Sequence, residues 1–361
     1  MTTIILENLL LGMKKPFEEI HIKMSTCMGL VWLVLSTDEQ VDSRFLQATK
    51  MFLFSISPVF DRYPKYAWVM KQLLEPERAV QFRVPWVDDT GNHRVCRGYR
   101  VQFSSCLGPY MGTLRFHAAT SHGTVKFLAF DNVFRNALGG EFGGAAGGAD
   151  FDPIGKSETE IMRFCQSFMT ELANYIGPNR DLPGPGVGVG QREIGYMFGQ
   201  YKRLQNQHGL GLTGIVSDGI FNNPESTGYG LAYFAKHVIQ DAGETLKGKR
   251  CVISGSGVTA LHTAEKLLDL GATVLTLSDS SGHVIEPDGF TKEKLEEMKK
   301  IKKERNARIG EYVMASTSAQ YCSMSDSDLW TIPCDYAFPC SIQNNIDGTC
   351  VSWNVSELSP W

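Results

Sequence analysis

Lys249–Gly282, KRCVISGSGVTALHTAEKLLDLGATVLTLSDSSG, carries two short apolar runs separated by a glycine turn and a stretch of helical length. Lys249–Ser254 reads as a strand, Gly255–Ala260 as the turn, the stretch to about Leu270 as a helix, and Thr273–Leu277 as a second strand. Strand, tight turn, helix and strand in that order make the βαβ unit that binds dinucleotides. Gly255 and Gly257 permit the turn and let a pyrophosphate approach backbone N–H groups at the helix N-terminus, and Ala260 takes the third small position. Asp279 follows about 20 residues on, where an acid meets the adenosine ribose.

Upstream of this unit lie two other glycine-rich stretches. Gly143–Pro153 reads GGAAGGADFDP, and Pro183–Gly190 reads PGPGVGVG. Both are expected to be bare loops, each leading into a helix, that wall one pocket by letting backbone approach a small ligand. Glu158–Tyr175 is an amphipathic helix, with Ile161, Phe164, Phe168 and Leu172 at helical spacing, Ser157 as N-cap and Glu160 completing a capping box. Another helix runs from Gly190 to about Gln205, and one more covers Thr227–Gln240 after a linker at 208–226. Arg78–Val87 and Arg97–Ser104 alternate as a hairpin about the turn at Asp88–Asn92. Residues 41–74 read as helix interrupted at Pro58 and Pro64, and 121–138 as a helix with Phe127, Phe130, Phe134 and Leu138 on one face.

A chain of 361 residues suits two domains, and 43% hydrophobic with 20% charged residues fits a globular protein. A net charge of −4 argues against nucleic acid or an anionic membrane as partner. The basic run Lys299–Arg305 reads as a solvated helix face. Nine cysteines without a C-x-x-C pair suggest reduced thiols in the cytoplasm or mitochondrion, and neither a zinc site nor a disulfide scaffold. The apolar patch Cys27–Leu35 is too short to span a bilayer and is expected to be buried.

In this order the runs QFRVPWVDD, RGYRVQF, GGADFDP, MRFCQSFMTEL, REIGYMFGQYKRL, PESTGYGL, SGSG and LSDSSG resemble the hexameric NADP-dependent glutamate dehydrogenases, of the Glu/Leu/Phe/Val dehydrogenase family. The resemblance covers roughly residues 45–348. It implies an α/β fold: a mixed α/β substrate and dimerisation domain at 45–226, then an incomplete Rossmann domain at 227–348, flanked by divergent segments at 1–44 and 349–361. It further implies a homo-oligomer, glutamate or 2-oxoglutarate as substrate, and reversible NADP-dependent oxidative deamination in a cleft between the domains.

The same resemblance assigns sites. Ser254, Gly255, Ser256 and Gly257 would cradle the pyrophosphate, Asp279 and Ser280 would meet the adenosine ribose, Lys302 the 2′-phosphate, and Thr227 and Asn344 the nicotinamide region. Asp150 and Asp152 would fix a loop as N–H acceptors, and His117 is expected to be structural. The substrate end departs from the family pattern. Met111 stands where the family has a substrate lysine, Ala146 where it has the catalytic lysine, Gly186 where it has the catalytic aspartate, and Arg135 where it has another lysine. A lost acid–base group typically costs about 10²–10⁴ in rate. The sequence therefore leaves three outcomes: an inactive or severely impaired family member, an active dehydrogenase with altered substrate, or a structural subunit.

Overall fold

A computed structural model describes residues 43–206, 224–303, 307–323, 328–342 and 345–346. The segment 1–42, most of the linker 208–226, Asn344 and the tail 349–361 lie outside the described residues. Those described fall into two compact units, 43–206 and 224–346.

The first unit is built on a five-stranded sheet ordered β1-β2-β4-β3-β5. β1 (Arg78–Val87) and β2 (His93–Ser104) form the expected antiparallel hairpin. β2 pairs antiparallel with β4 (Gly143–Ala149), which runs parallel to β3 (Tyr110–Phe116), and β3 runs parallel to β5 (Asp181–Gly184). Helices α1 (Ser43–Arg62), α2 (Ala67–Leu73) and α3 (His122–Ala137) pack on one side, where Phe45, Leu53, Met70, Val101, Phe103 and Phe130 form a core. Helices α4 (Glu158–Leu172) and α5 (Gln191–Gln205) supply a second core around Trp86, Phe116, Phe151, Phe164 and Phe168.

The largest difference from expectation is β4. GGAAGGA is no loop but a fully buried strand inside the sheet. Its small residues make room for neighbours on both sides. A Cβ on Gly144 would sit 2.4 Å from the Val133 side chain of α3, and one on Gly147 would sit 3.0 Å from the Arg100 side chain. Arg100 starts on β2 and reaches Asp181 at the start of β5, across the two intervening strands β4 and β3, with Nη1 also donating to the Gly112 carbonyl at 3.3 Å. Gln102 donates to the same carboxylate at 2.7 Å.

Local rules account for the rest. Ser157 Oγ accepts from the Glu160 N–H at 3.0 Å and the Glu160 carboxylate accepts from the Ser157 N–H at 3.0 Å, the capping box read from sequence. Glu160 Oε1 also accepts from the Asp89 N–H, tying the hairpin turn to α4. Pro58 does not interrupt α1. Pro58 and Phe54, whose carbonyl loses its partner, are both exposed residues. Leu138 falls just past α3 and is 91% exposed, so it does not join the phenylalanine face.

In the second unit, β6 (Arg250–Ser254) lies between β11 (Tyr336–Pro339) and β7 (Thr273–Val274), all parallel. Helix α7 (Val258–Asp269) makes the crossover, and α6 (Ser226–Asp241) packs on it where Gly228 approaches Thr263. The strand expected at Thr273–Leu277 is split. Thr276 turns its hydroxyl into the ladder, donating to the Ile253 carbonyl and accepting from the Ile253 N–H. Beyond it, β8 (Thr276–Asp279) joins an antiparallel sheet with β9 (Gly282–Ile285) and β10 (Gln320–Ser323). This is the βαβ unit expected from Lys249–Gly282, with one strand handed between two sheets.

Just past β9, Glu286 is wholly buried. Its carboxylate accepts from Lys294 Nζ of α8 (Lys292–Lys303), Tyr312 Oη, Ser316 Oγ and Ser318 Oγ at 2.6–2.8 Å. Burial alone would raise its pKa, but Lys294 and the three hydroxyls together hold it below the ordinary 4.5. A depressed folded pKa gives stability that is complete above the unfolded value and lost as pH falls through the folded one. Glu286→Gln is therefore expected to be less stable at pH 7 and to show a shallower loss of stability below about pH 4.5. Urea midpoints measured from pH 7 to pH 3 check this.

Candidate functional site

Part of the sequence-expected set gathers in two places, Met111 and Arg135 in the first unit and Ser254–Gly257, Asp279, Ser280 and Lys302 in the second. In the first unit a cavity of about 220 Å³ is lined by Met111 and Thr113 of β3, by Asn132, Arg135 and Asn136 of α3, and by Gly184 and Pro185 at the end of β5. Gly112 makes this corner possible. A Cβ there would lie 1.6 Å from the Ala145 carbonyl and 2.8 Å from Asn132 Nδ2, which donates to that carbonyl at 2.7 Å. Asn136 Nδ2 donates to the Met111 and Gly143 carbonyls, at 3.0 and 2.7 Å. Both amides thus spend N–H groups on backbone. Arg135 forms an ion pair with Asp131 one turn earlier in α3, and its side chain is largely exposed.

Ala146 does not line this cavity. It is fully buried in the α1/α3 core, opposite Val101 in the β2–β4 ladder. Gly186 lies beyond Pro185 in a tight turn bridged to Val189, where a Cβ would fall 2.3 Å from the Leu114 carbonyl. In this backbone the Gly186 position has no room for a side chain. The second glycine-rich stretch thus contributes to the pocket wall, whereas the first is core. Asp150 Oδ1 accepts from the Arg97 N–H and Asp152 Oδ1 from the Ile154 N–H, as expected of acids that fix a loop. His117 Nδ1 likewise accepts from the Ala119 N–H.

The second group sits at the ends of β6 and β8. Ser254 Oγ accepts from the Cys340 N–H. Gly255 has φ +91 and lies against the Cys340 carbonyl, a conformation and closeness that favour glycine. Its N–H donates to Ser278 Oγ at 2.8 Å. Ser256 is buried, Gly257 is the N-cap of α7, and no side chain caps that helix, so its first turn keeps the positive end of the dipole uncovered by side chains.

At the end of β8, Asp279 accepts from the Ser281 N–H and hydroxyl and from the Ile309 N–H, and Lys302 Nζ lies 3.6 Å away. Partial burial would raise its pKa; the Ser281 and Ile309 donors and the Lys302 charge hold it below the ordinary 3.8. Ser280 Oγ accepts from Arg308 Nη1 at 2.6 Å. Arg308 thus contacts the Ser280 hydroxyl, while Lys302 faces the neighbouring Asp279 and donates to the Ala307 carbonyl at 2.9 Å. The run at Lys299 is not simply a solvated face: Lys299 pairs with Glu265 of α7, and Lys302 turns to Asp279. Thr227 is exposed on the first turn of α6. Asn344 lies outside the described residues.

A family model described as the Glu/Leu/Phe/Val dehydrogenase dimerisation domain matches residues 76–203, and one described as Glutamate/Leucine/Phenylalanine/Valine dehydrogenase matches 219–358. The NADP-specific glutamate dehydrogenase of Giardia intestinalis is 44% identical over 310 residues, covering 85% of this chain and 69% of its own length. The chain belongs to the glutamate/leucine/phenylalanine/valine dehydrogenase family. Another member, the NADP-specific glutamate dehydrogenase of Chlorella sorokiniana, is 50% identical over 84% of this chain, which spans 58% of that relative's length. The crystal structure of Plasmodium falciparum glutamate dehydrogenase superposes with a TM-score of 0.87 at 43% identity, covering 95% of this chain and 74% of that one.

Within this dehydrogenase family framework, sequence reasoning missed three features. Arg308, six residues beyond Lys302, was hidden behind a basic run that resembles any solvated helix. The amides of Asn132 and Asn136 gave no signal, because their role depends on a glycine in another element. The buried Arg100–Asp181 pair joins residues 81 positions apart, with no local spacing to reveal it. Among the described residues no group of His, Cys, Asp and Glu could hold a metal ion, and no helix is long and apolar enough to cross a membrane. The seven described cysteines are free.

Proposed function

We propose that this chain is a glutamate dehydrogenase-family protein that binds NADP(H) and has lost most of the family's amino-acid turnover. The observation that carries the cofactor reading is the pair of cations at the end of β8, Arg308 on Ser280 and Lys302 beside Asp279. A free ribose hydroxyl would be served by Asp279 alone. Asp279 is already engaged by Ser281, Ile309 and Lys302, and the guanidinium on Ser280 suits a phosphate oxygen better than a hydroxyl. The uncapped start of α7 offers its N–H groups to the pyrophosphate. Bound there, NADP(H) would supply hydride transfer; the chain's own residues hold its phosphates and ribose.

The loss of turnover rests on the other unit. The family's acid–base lysine and aspartate positions carry Ala146 and Gly186. Neither methyl nor hydrogen can move a proton, and Ala146 is enclosed by aromatic and aliphatic side chains. Met111 brings neither charge nor N–H donor to the cavity it lines. Each lost acid–base group is worth about 10²–10⁴ in rate, and such losses are not additive. Oxidation of NADPH with 2-oxoglutarate and ammonia is expected at least about 10³-fold below an active family member. A rate within tenfold of an active member contradicts this part of the proposal and points to replacement acid–base groups. Hexamer formation follows from the family resemblance, and a cytoplasmic location from the cysteine pattern.

A further inference from the structure

The β1–β2 hairpin sets two arginines directly against each other. In its ladder Arg83 of β1 stands opposite Arg97 of β2. Opposed residues of an antiparallel pair share a face, with Cβ atoms about 4.5–5.5 Å apart, and like charges placed there repel. Gln81 and Pro85 of β1 and Val95 of β2 belong to the same face by alternation and register, and all five residues are exposed. Phe82, Val84, Trp86 and Cys96 take the other face and pack into the second core. The neighbouring arginines of β2 each have a carboxylate: Arg94 pairs with Asp88 and Arg100 with Asp181. Among the described residues, Arg83 and Arg97 have no side-chain hydrogen bond or ion pair. Asp150 reaches this strand, but its Oδ1 accepts from the Arg97 backbone N–H at 2.7 Å and pairs with neither guanidinium. A cavity of about 290 Å³ lies at the two arginines, lined by Gln81, Phe82, Arg83, Val95, Cys96 and Arg97, with no acid among them. The Gln81 amide adds two N–H donors to the cations, and Val95 an apolar wall.

We propose that this cavity binds a phosphate group, free or carried by a small metabolite, between Arg83 and Arg97. Each guanidinium presents a planar fork of N–H donors that matches two oxygens of one phosphate, and Gln81 serves a further oxygen. A phosphate monoester carries a charge of about −1.5 to −2 at pH 7, which offsets both arginines, whereas a single carboxylate offsets one. The bound anion turns the repulsion across the ladder into attraction to a shared centre. At about 290 Å³ the cavity lies just below the range of about 300–1,000 Å³ that holds drug-sized ligands, so it admits the ion with a few carbon atoms beside Val95. The site belongs to the first unit and uses neither Lys302 nor Arg308, so it stands independently of the cofactor reading.

Calorimetric titration of the full-length chain with inorganic phosphate and with ribose 5-phosphate tests it, at low ionic strength and with sodium chloride of matched ionic strength as control. Each titration is repeated on Lys302→Ala with Arg308→Ala, so that phosphate held at the end of β8 is not counted. Saturable phosphate binding is expected to survive in that background. Arg83→Gln or Arg97→Gln added to it is expected to weaken binding by about fivefold, the effect of losing one exposed ion contact, and the two together to abolish it. Tighter binding of ribose 5-phosphate than of inorganic phosphate assigns the site to a metabolite, and equal binding assigns it to the free ion; both support the proposal. Without phosphate, Arg83→Gln is expected to melt at or above the wild-type temperature, because it removes a like-charge contact. No saturable phosphate binding, or binding that neither glutamine variant weakens, overturns the proposal. So does an Arg83→Gln melting temperature clearly below wild type, which would mean that the arginine already has a stabilising partner.

Discussion

Arg100→Ala is expected to destabilise the first unit by about 3–5 kcal/mol, a large share of the roughly 5–15 kcal/mol that holds a domain folded. The guanidinium and the Asp181 carboxylate are both completely shielded from solvent. Nε donates to Asp181 Oδ2 at 2.9 Å and Nη2 to Oδ1, a bidentate pair, with Gln102 as a third donor. Truncating the arginine leaves a carboxylate in the core with only Gln102 to serve it, and removes the link from β2 to β5. The pair itself need not be net stabilising, because desolvating both charges offsets much of their attraction. Arg100→Met with Asp181→Leu is therefore expected to recover most of the single variant's loss. Urea unfolding of the three proteins checks this; a single-variant loss under about 1 kcal/mol contradicts the burial argument.

Lys302→Ala with Arg308→Ala is expected to weaken NADPH binding by about 100-fold or more and to change NADH binding by less than about threefold. A charge-assisted hydrogen bond is worth about 1.5–3 kcal/mol, or roughly one to two decades in affinity, and the two cations stand on the adjacent residues Ser280 and Asp279. NADH has no 2′-phosphate, so the same deletions take nothing from it directly. Either single variant should lose about tenfold for NADPH. Raised salt should weaken wild-type NADPH binding more than that of the double variant, since fewer charges are left to screen. Fluorescence titrations with both cofactors read all of this. Equal losses for NADPH and NADH would mean that the two cations support the fold of the β8 end rather than the phosphate.

The fold was legible where local pattern and tertiary role agree. Strand β1 alternates because one of its faces is buried, and α4 shows both its apolar stripe and its capping box in the sequence. The βαβ unit was readable because its turn needs glycine for reasons of backbone geometry, as the positive φ of Gly255 bears out. Pattern failed at β4. Glycine there reports what passes beside the strand, the Arg100 side chain and helix α3, and neither is encoded nearby in the chain. A run of glycine and alanine looks the same whether it leaves room for a ligand or for its own protein. The end of β8 was half legible for the same reason. Ser254, Gly257 and Asp279 follow the local motif, whereas Arg308 comes from a separate segment and meets Ser280 only in the folded unit.

The chain's identity as a cofactor-binding family member is tested most directly by titrating the full-length protein with NADPH and, separately, with NADH, followed by cofactor fluorescence. Saturable binding with NADPH preferred by about tenfold or more is the expected result, given the two cations on Ser280 and Asp279. Equal affinity for the two cofactors, or binding of neither, would contradict it.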